Sequence, residues 1–166
     1  MSRVRFVFQM TRSDCGLACL AMVASGYGRR TTLAALRERI EVGRDGVSAR
    51  SLVDAAAPLG LRGRAIAAPA PLIAQLPTPW IAAWEGSHFV VVTAVRDRGI
   101  DVLDPAQGRR RLSRAEFDAG YRRAAVLFEP IPGVAPAAPP RAAAMAAWRP
   151  VRAALRRAGG IIAALI

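Results

Sequence analysis

A chain of 166 residues, 53% of them hydrophobic, suits one domain with a sizeable core and a possible appendage. Its basic residues are all arginine, 24 against 12 acidic ones, and a net charge of +12 alone would point to nucleic acid or an anionic membrane surface. No zinc spacing or aromatic-studded basic groove accompanies that charge, and part of it lies in an acid-free stretch after Gly133, so nucleic acid is set aside as a partner.

The residues from Val4 to Gln9 are extended and lead into a turn at 11–14. Asp14 is placed to cap a helix from Cys15 to about Tyr27, with Gly26 and Gly28 near its end. Leu17, Leu20, Ala21 and Val23 make it the expected buried central helix. Thr31 or Thr32 starts a second helix through Leu33, Leu36 and Ile40. Ser48 starts a third, through Leu52, Val53 and Ala56 toward Pro58 and Gly60. After Gly60 the period changes: strands are expected at 61–67, 79–84, 88–95, 99–103, 109–112 and 124–129. A short helix is expected at 70–76 and another, capped by Ser113, at 114–119. Helices first and antiparallel strands second describe an α+β domain with its N-terminal helices packed on the sheet.

Residues 1–132 form that domain, and 133–141 form a stiff Pro/Ala linker. In 142–166, Met145, Trp148, Val151 and Leu155 recur at helical spacing beside an arginine face that Pro150 interrupts. The chain ends on an apolar run too short for a membrane span, read as the start of one behind a basic amphipathic elbow at a bilayer surface.

Cys15 and Cys19, the only cysteines, lie four residues apart on one helix face, which suits neither a stable disulfide nor a secreted framework. Residues 1–9 lack an apolar core for export, so a reducing cytoplasm is expected. Cys15 at a helix tip sits where unpaired backbone N–H groups favour thiolate over thiol, and with Gly16 and a polar turn beside it an exposed thiol is expected. Cys19, one turn further in, reads as core. Zinc on Cys15, Cys19 and His88 lacks a fourth ligand. His88 is the only histidine and leads an apolar strand, so its ring can point into a cleft. Asp104, before Pro105, ends the next strand, where a carboxylate can hold the second ring proton of His88. Gln9 can set its amide N–H beside the Cys15 backbone N–H around an oxyanion. Together these residues describe a thiol peptidase.

The motifs, in order, are Gln9 with Asp14-Cys15-Gly16-Leu17-Ala18-Cys19, Tyr27-Gly28, Gly46-Val47-Ser48, Ala57-Pro58-Leu59-Gly60, Pro79-Trp80-Ile81, His88-Phe89-Val90, Asp104-Pro105 with Gly108, and Leu112-Ser113 with Phe117. Over residues 9–130 the chain resembles the N-terminal peptidase domains of bacterial peptide-exporting ABC transporters. The resemblance implies a papain-like cysteine peptidase fold and removal of a double-glycine leader from a bacteriocin-like or other secreted precursor. Cys15 would be nucleophile, His88 general base and acid, Asp104 the orienting residue and Gln9 the oxyanion donor. It also implies transmembrane and ATPase domains as partners, no cofactor in this domain (ATP belonging to the ATPase), and a place on the cytoplasmic face of the bacterial cell membrane. The leader would dock as an amphipathic helix in an apolar groove. Trp80, Trp84, Leu59 and Leu61 are apolar candidates for it, although core packing suits each better. The alternative is a catalytically silent leader-binding domain of an exporter, and a third reading is a membrane-surface scaffold driven by the arginine tail.

Overall fold

The computed structural model describes residues 4–44 and 46–134; the basic elbow expected at 142–166 and most of the linker expected at 133–141 lie outside them. Helix α1 (Cys15–Gly26) is followed by α2 (Leu33–Arg37) and α3 (Ala49–Ala56). Thr32 Oγ1 accepts from the Ala35 N–H and Ser48 Oγ from the Ser51 N–H, so both hydroxyls occupy orphan donors at helix starts as the sequence indicates. Helix α2 is shorter than its apolar pattern: it stops at Arg37, and Ile40 packs in the core from the turn beyond.

The strands are β1 (Leu61–Ala67), β2 (Trp80–Trp84), β3 (His88–Arg96), β4 (Gly99–Asp104), β5 (Gly108–Leu112) and β6 (Tyr121–Pro130). They form one six-stranded sheet in the order β1-β6-β2-β3-β4-β5, with every neighbour antiparallel. Strand β6 begins earlier than its apolar run, because Arg123 at φ 55° and a register shift against β2 let Tyr121 pair with Trp84. The segment at 70–75 is a 3₁₀ turn, not an α-helix. Helix α4 (Arg114–Gly120) opens with a reciprocal capping box between Ser113 and Glu116.

The period-2 alternation splits the core between the two faces of the sheet. Ile81, Val91, Leu103, Val126 and Phe128 face the helices α1, α2 and α3. Trp80, Ala82, Val90, Val92, Ile100 and Val102 face the other way, onto α4 and the 70–75 turn. A strand covered on both faces must be apolar throughout, which is why β3 runs Phe-Val-Val-Val after its histidine. Helix α1 is buried nearly all round, so it is a core helix rather than an amphipathic one with a single apolar face. Among the described residues no helix is long and apolar enough to cross a membrane.

Phe117 anchors the second core: its ring lies 6.4 Å from Trp80, 5.4 Å from Trp84 and 5.0 Å from Tyr121, centroid to centroid. Phe117→Ala is therefore expected to destabilise the domain by about 3–5 kcal/mol in urea denaturation, and a loss below about 1 kcal/mol would mean that this cluster does not hold α4 to the sheet.

Candidate active site

The approach to α1 is a single 3₁₀ turn, Arg12–Asp14, so Asp14 is already helical at φ −86° and ψ −6°. A residue that caps from its side chain needs extended backbone, and Asp14 makes no side-chain bond to α1. This corrects the role expected of it. Its carboxylate turns back instead: Oδ2 accepts the N–H groups of Thr11 at 2.8 Å and Met10 at 3.2 Å. From α2, Arg37 donates Nε to Oδ1 at 3.1 Å and Nη2 to Oδ2 at 2.5 Å. Burial works to raise the Asp14 pKa, but Arg37 and Thr11 more than offset it and hold the group below its ordinary 3.8.

Cys15 is only 2% exposed, not the open helix-tip thiol that the sequence suggests. The cause is the neighbouring glycine: a Cβ on Gly16 would lie 2.3 Å from Val47 Cγ2, so its absence lets the segment before α3 close over the helix tip. Cys19 is fully buried, its Sγ donates to the Phe89 carbonyl at 3.3 Å, and burial pushes its thiol well up, which matches the core role read for it.

His88 opens β3 and Asp104 closes β4, and antiparallel neighbours bring the start of one strand to the end of the next. Gly86 and Ser87, at φ 66° and 59°, make two successive left-handed residues that turn the chain into His88. Nε2 of the ring donates to Asp104 Oδ1 at 2.9 Å, and Cys15 is near enough to act on the same ring. With Nε2 engaged, Nδ1 is the nitrogen left for sulfur. Asp104 Oδ1 also accepts the N–H groups of Ala106 at 2.9 Å and Gln107 at 3.3 Å, which anchors the carboxylate in its own turn. Its Oδ2 is buried with no hydrogen-bond partner among the described residues, and Arg110 Nη1 stands 3.8 Å away.

These contacts set the charges. Burial alone would lower the His88 pKa; the hydrogen bond to Asp104 and its charge, with the neighbouring Cys15 adding to them, lift it from 6.5 to about 9. Burial would raise the Asp104 pKa, but the bonds from His88 and the Ala106 amide hold it below 3.8. An imidazolium on an ionised aspartate is the state of this pair at neutral pH.

Gln9 is tied by its own N–H to the Pro105 carbonyl at 3.0 Å, next to Asp104, and its Oε1 is buried with no hydrogen-bond partner among the described residues. Hydrogen bonds thus join His88 and Asp104 through side chains and Gln9 to the turn after Asp104 through its backbone, with Cys15 beside the ring. Beside His88 lies a cleft of ≈ 490 Å³ bounded by Val47, Ala83, Trp84, Phe89 and Arg122. A smaller apolar groove adjoins it across Ala83 and Phe89, walled by Ile66, Ala124 and Val126. Of the four apolar groove candidates, Trp84 borders the cleft, while Trp80, Leu59 and Leu61 are core. Sequence reasoning missed Arg37 and Arg110, whose partners are distant or across a hairpin. The local part of this network, the Thr11 N–H on Asp14 Oδ2, spans only three residues.

The sequence profile of the Peptidase C39 family matches residues 3–132. The chain is 35% identical over 115 residues to the colicin V secretion/processing ATP-binding protein CvaB of Escherichia coli, covering 69% of this chain and 16% of that protein. It is 35% identical over 136 residues to the transport/processing ATP-binding protein ComA of Streptococcus pneumoniae, covering 77% of this chain and 19% of that one. It thus spans less than a fifth of either relative. Among solved structures it resembles a double glycine motif protease from an AMS/PCAT transporter in complex with the leader peptide, at TM-score 0.73 and 30% identity, covering 76% of this chain and 91% of that one. The peptidase domain of Streptococcus ComA superposes at TM-score 0.69 and 30% identity, covering 75% and 96%.

Because His88 is the only histidine, an NMR titration of its ring reads the site directly. A midpoint near 9 is expected in the wild type, and Asp104→Asn is expected to move it down toward or below 6.5, since burial then acts with less opposition. The raised His88 value contributes stability that is fully present below 6.5 and lost as pH rises through about 9. The lowered Asp104 value contributes stability that is present above 3.8 and lost as pH falls through the folded value below it. A wild-type midpoint at or under 6.5 would contradict the His88–Asp104 ion pair.

Proposed function

The chain belongs to the Peptidase C39 family and is a papain-like cysteine peptidase, and on that premise we propose that it removes a double-glycine leader from a bacteriocin-like or other secreted peptide precursor on behalf of an ABC exporter. The observation that carries this reading is the His88–Asp104 hydrogen bond set beside Cys15 at the tip of a buried helix.

In the proposed reaction the Cys15 sulfur adds to the carbonyl carbon of the second glycine, and the carbonyl electron pair moves to oxygen. The Cys15 backbone N–H and the Gln9 amide N–H receive that oxyanion. His88 holds the proton near the sulfur and passes it to the leaving amine as the C–N bond breaks, and a ring pKa of about 9 keeps that proton available at neutral pH. The neutral ring then takes a proton from water, which attacks the thioester; the leader carboxylate departs and the thiol is restored. Asp104 fixes the ring and its tautomer throughout. Two consecutive glycines suit a site whose thiol is 2% exposed, since a side chain next to the scissile bond has little room to enter. The cleft beside His88 and the apolar groove that adjoins it would take the apolar anchors of a helical leader.

The partners follow from the same reading: the precursor peptide, the transmembrane and ATPase domains of the exporter, and the membrane surface through the arginines of residues 142–166. The domain would work at the cytoplasmic face of the bacterial cell membrane, with ATP used only by the ATPase.

With the full chain and a leader peptide carrying Gly-Gly, cleavage after the second glycine is expected. Cys15→Ala is expected to abolish it, and Gln9→Ala to lower kcat by ~10²–10³ with binding retained. Cleavage that persists in Cys15→Ala, measured by mass spectrometry of the products, would remove the peptidase assignment from this site; binding without cleavage by the wild type would favour a silent docking domain.

A further inference from the structure

Gln9 and Cys15, the residues whose N–H groups would receive the oxyanion, lie at the two ends of one short stretch, and only residues 12–14 of it have regular structure before α1 begins. Two ties hold the rest. Gln9 N–H reaches the Pro105 carbonyl at 3.0 Å, and the Asp14 carboxylate gathers the N–H groups of Met10 and Thr11. Gly46 presses on the stretch from the outside, a Cβ there lying 3.2 Å from the Ser13 carbonyl oxygen.

The second tie stands on a buried charge. Asp14 is 1% exposed, and a carboxylate removed from water keeps its charge only where a cation and enough donors meet it. Arg37 meets it with two bonds from one guanidinium, one to each oxygen. Without that fork the acid would protonate, or swing toward water, and either change gives up acceptor positions that the amides of Met10 and Thr11 now use. Arg37 itself is held in place from elsewhere. It closes α2, whose Leu33 and Leu36 are buried in the core with α1 and whose start is capped by Thr32.

We propose that Arg37, acting through Asp14, is the positioning residue of the oxyanion hole: it sets the path of the chain between Gln9 and Cys15, so that the two donors converge on one point. The proposal rests on the peptidase reading above. It assigns Arg37 no contact with substrate. It also separates two things that a general loss of structure would change together, the reactivity of the thiol and the binding of a tetrahedral oxygen. Lysine cannot replace the fork, because one ammonium cannot span both carboxylate oxygens in that geometry.

The test compares the wild-type full chain with Arg37→Lys, which keeps the charge, and with the double variant Asp14→Asn, Arg37→Gln, which leaves no buried charge unpaired. Two probes are applied to each. A peptide aldehyde ending in Gly-glycinal forms a C–S bond with Cys15; its carbonyl electron pair moves to oxygen, which takes up the thiol proton and sits in the oxyanion hole. Iodoacetamide forms a C–S bond with Cys15 and expels iodide, with no oxyanion at any stage. The expected result is an aldehyde affinity at least ~10-fold weaker in the variants, a matching fall in kcat at unchanged KM, and an unchanged rate of alkylation, given that losing one such donor outright costs ~10²–10³ in rate. Wild-type aldehyde affinity in both variants would overturn the positioning role, and so would alkylation that slows in step with aldehyde binding. A wild type that is alkylated at Cys15 yet binds no aldehyde and cuts no leader would overturn the peptidase reading itself, and this proposal with it.

Discussion

A carboxylate buried at the end of a sheet must be met by donors, and that requirement organises this domain. Asp104 is 1% exposed, and its Oδ1 accepts a ring N–H from His88 and two backbone N–H groups of the turn that follows it. The charge it keeps holds a proton on His88, and the imidazolium in turn has the Cys15 thiol as its second partner. Each member is fixed by a different element: α1 carries the thiol, β3 the ring and β4 the acid. None of them could be shifted alone without leaving a polar group buried and unpaired, which is costly enough to make the arrangement a single structural unit.

The same logic recurs at the other side of the helix tip. The buried Asp14 and the solvent-facing Arg37 form a second pair, between the start of α1 and the end of α2, and it stabilises a loop rather than a ring. Two buried acids therefore flank Cys15, each compensated by a cation brought from a different element. Around them the packing is apolar on both faces of the sheet, so few competing polar partners exist for either acid. Glycine completes the arrangement where close approach is needed: Gly16 admits Val47 against the first turn of α1, and the thiol is covered as a result.

Much of this was legible along the chain. Thr32, Ser48 and Ser113 marked helix starts correctly because a capping hydroxyl bonds to an amide two or three residues away, a purely local interaction. The strands were legible because their apolar runs are bounded by Gly, Pro and charged residues. Where local preference misled, tertiary contacts had decided. The 3.6-residue pattern of α2 continues to Ile40, yet the chain leaves the helix at Arg37, the residue that reaches Asp14. Asp14 looked like a helix cap by type and position, but the 3₁₀ turn before it placed its backbone in the helix and its carboxylate behind. Cys15 looked exposed because its neighbours in sequence are small and polar, whereas its neighbours in space are not.

Residue types, their order and the chemistry they permit are written along the chain: one histidine, one thiol at a helix start, one acid closing a strand, and an apolar pattern of helices packed on a sheet. Those follow from short-range rules of period, capping and turn formation. Three features arise from contacts in space: Cys15 is covered, the His88 pKa is raised to about 9, and Arg37 is tied to the loop before the thiol. Burial and charge pairing depend on residues far apart in the chain, and their energies are set by what stands within a few ångströms in space, which no local pattern encodes.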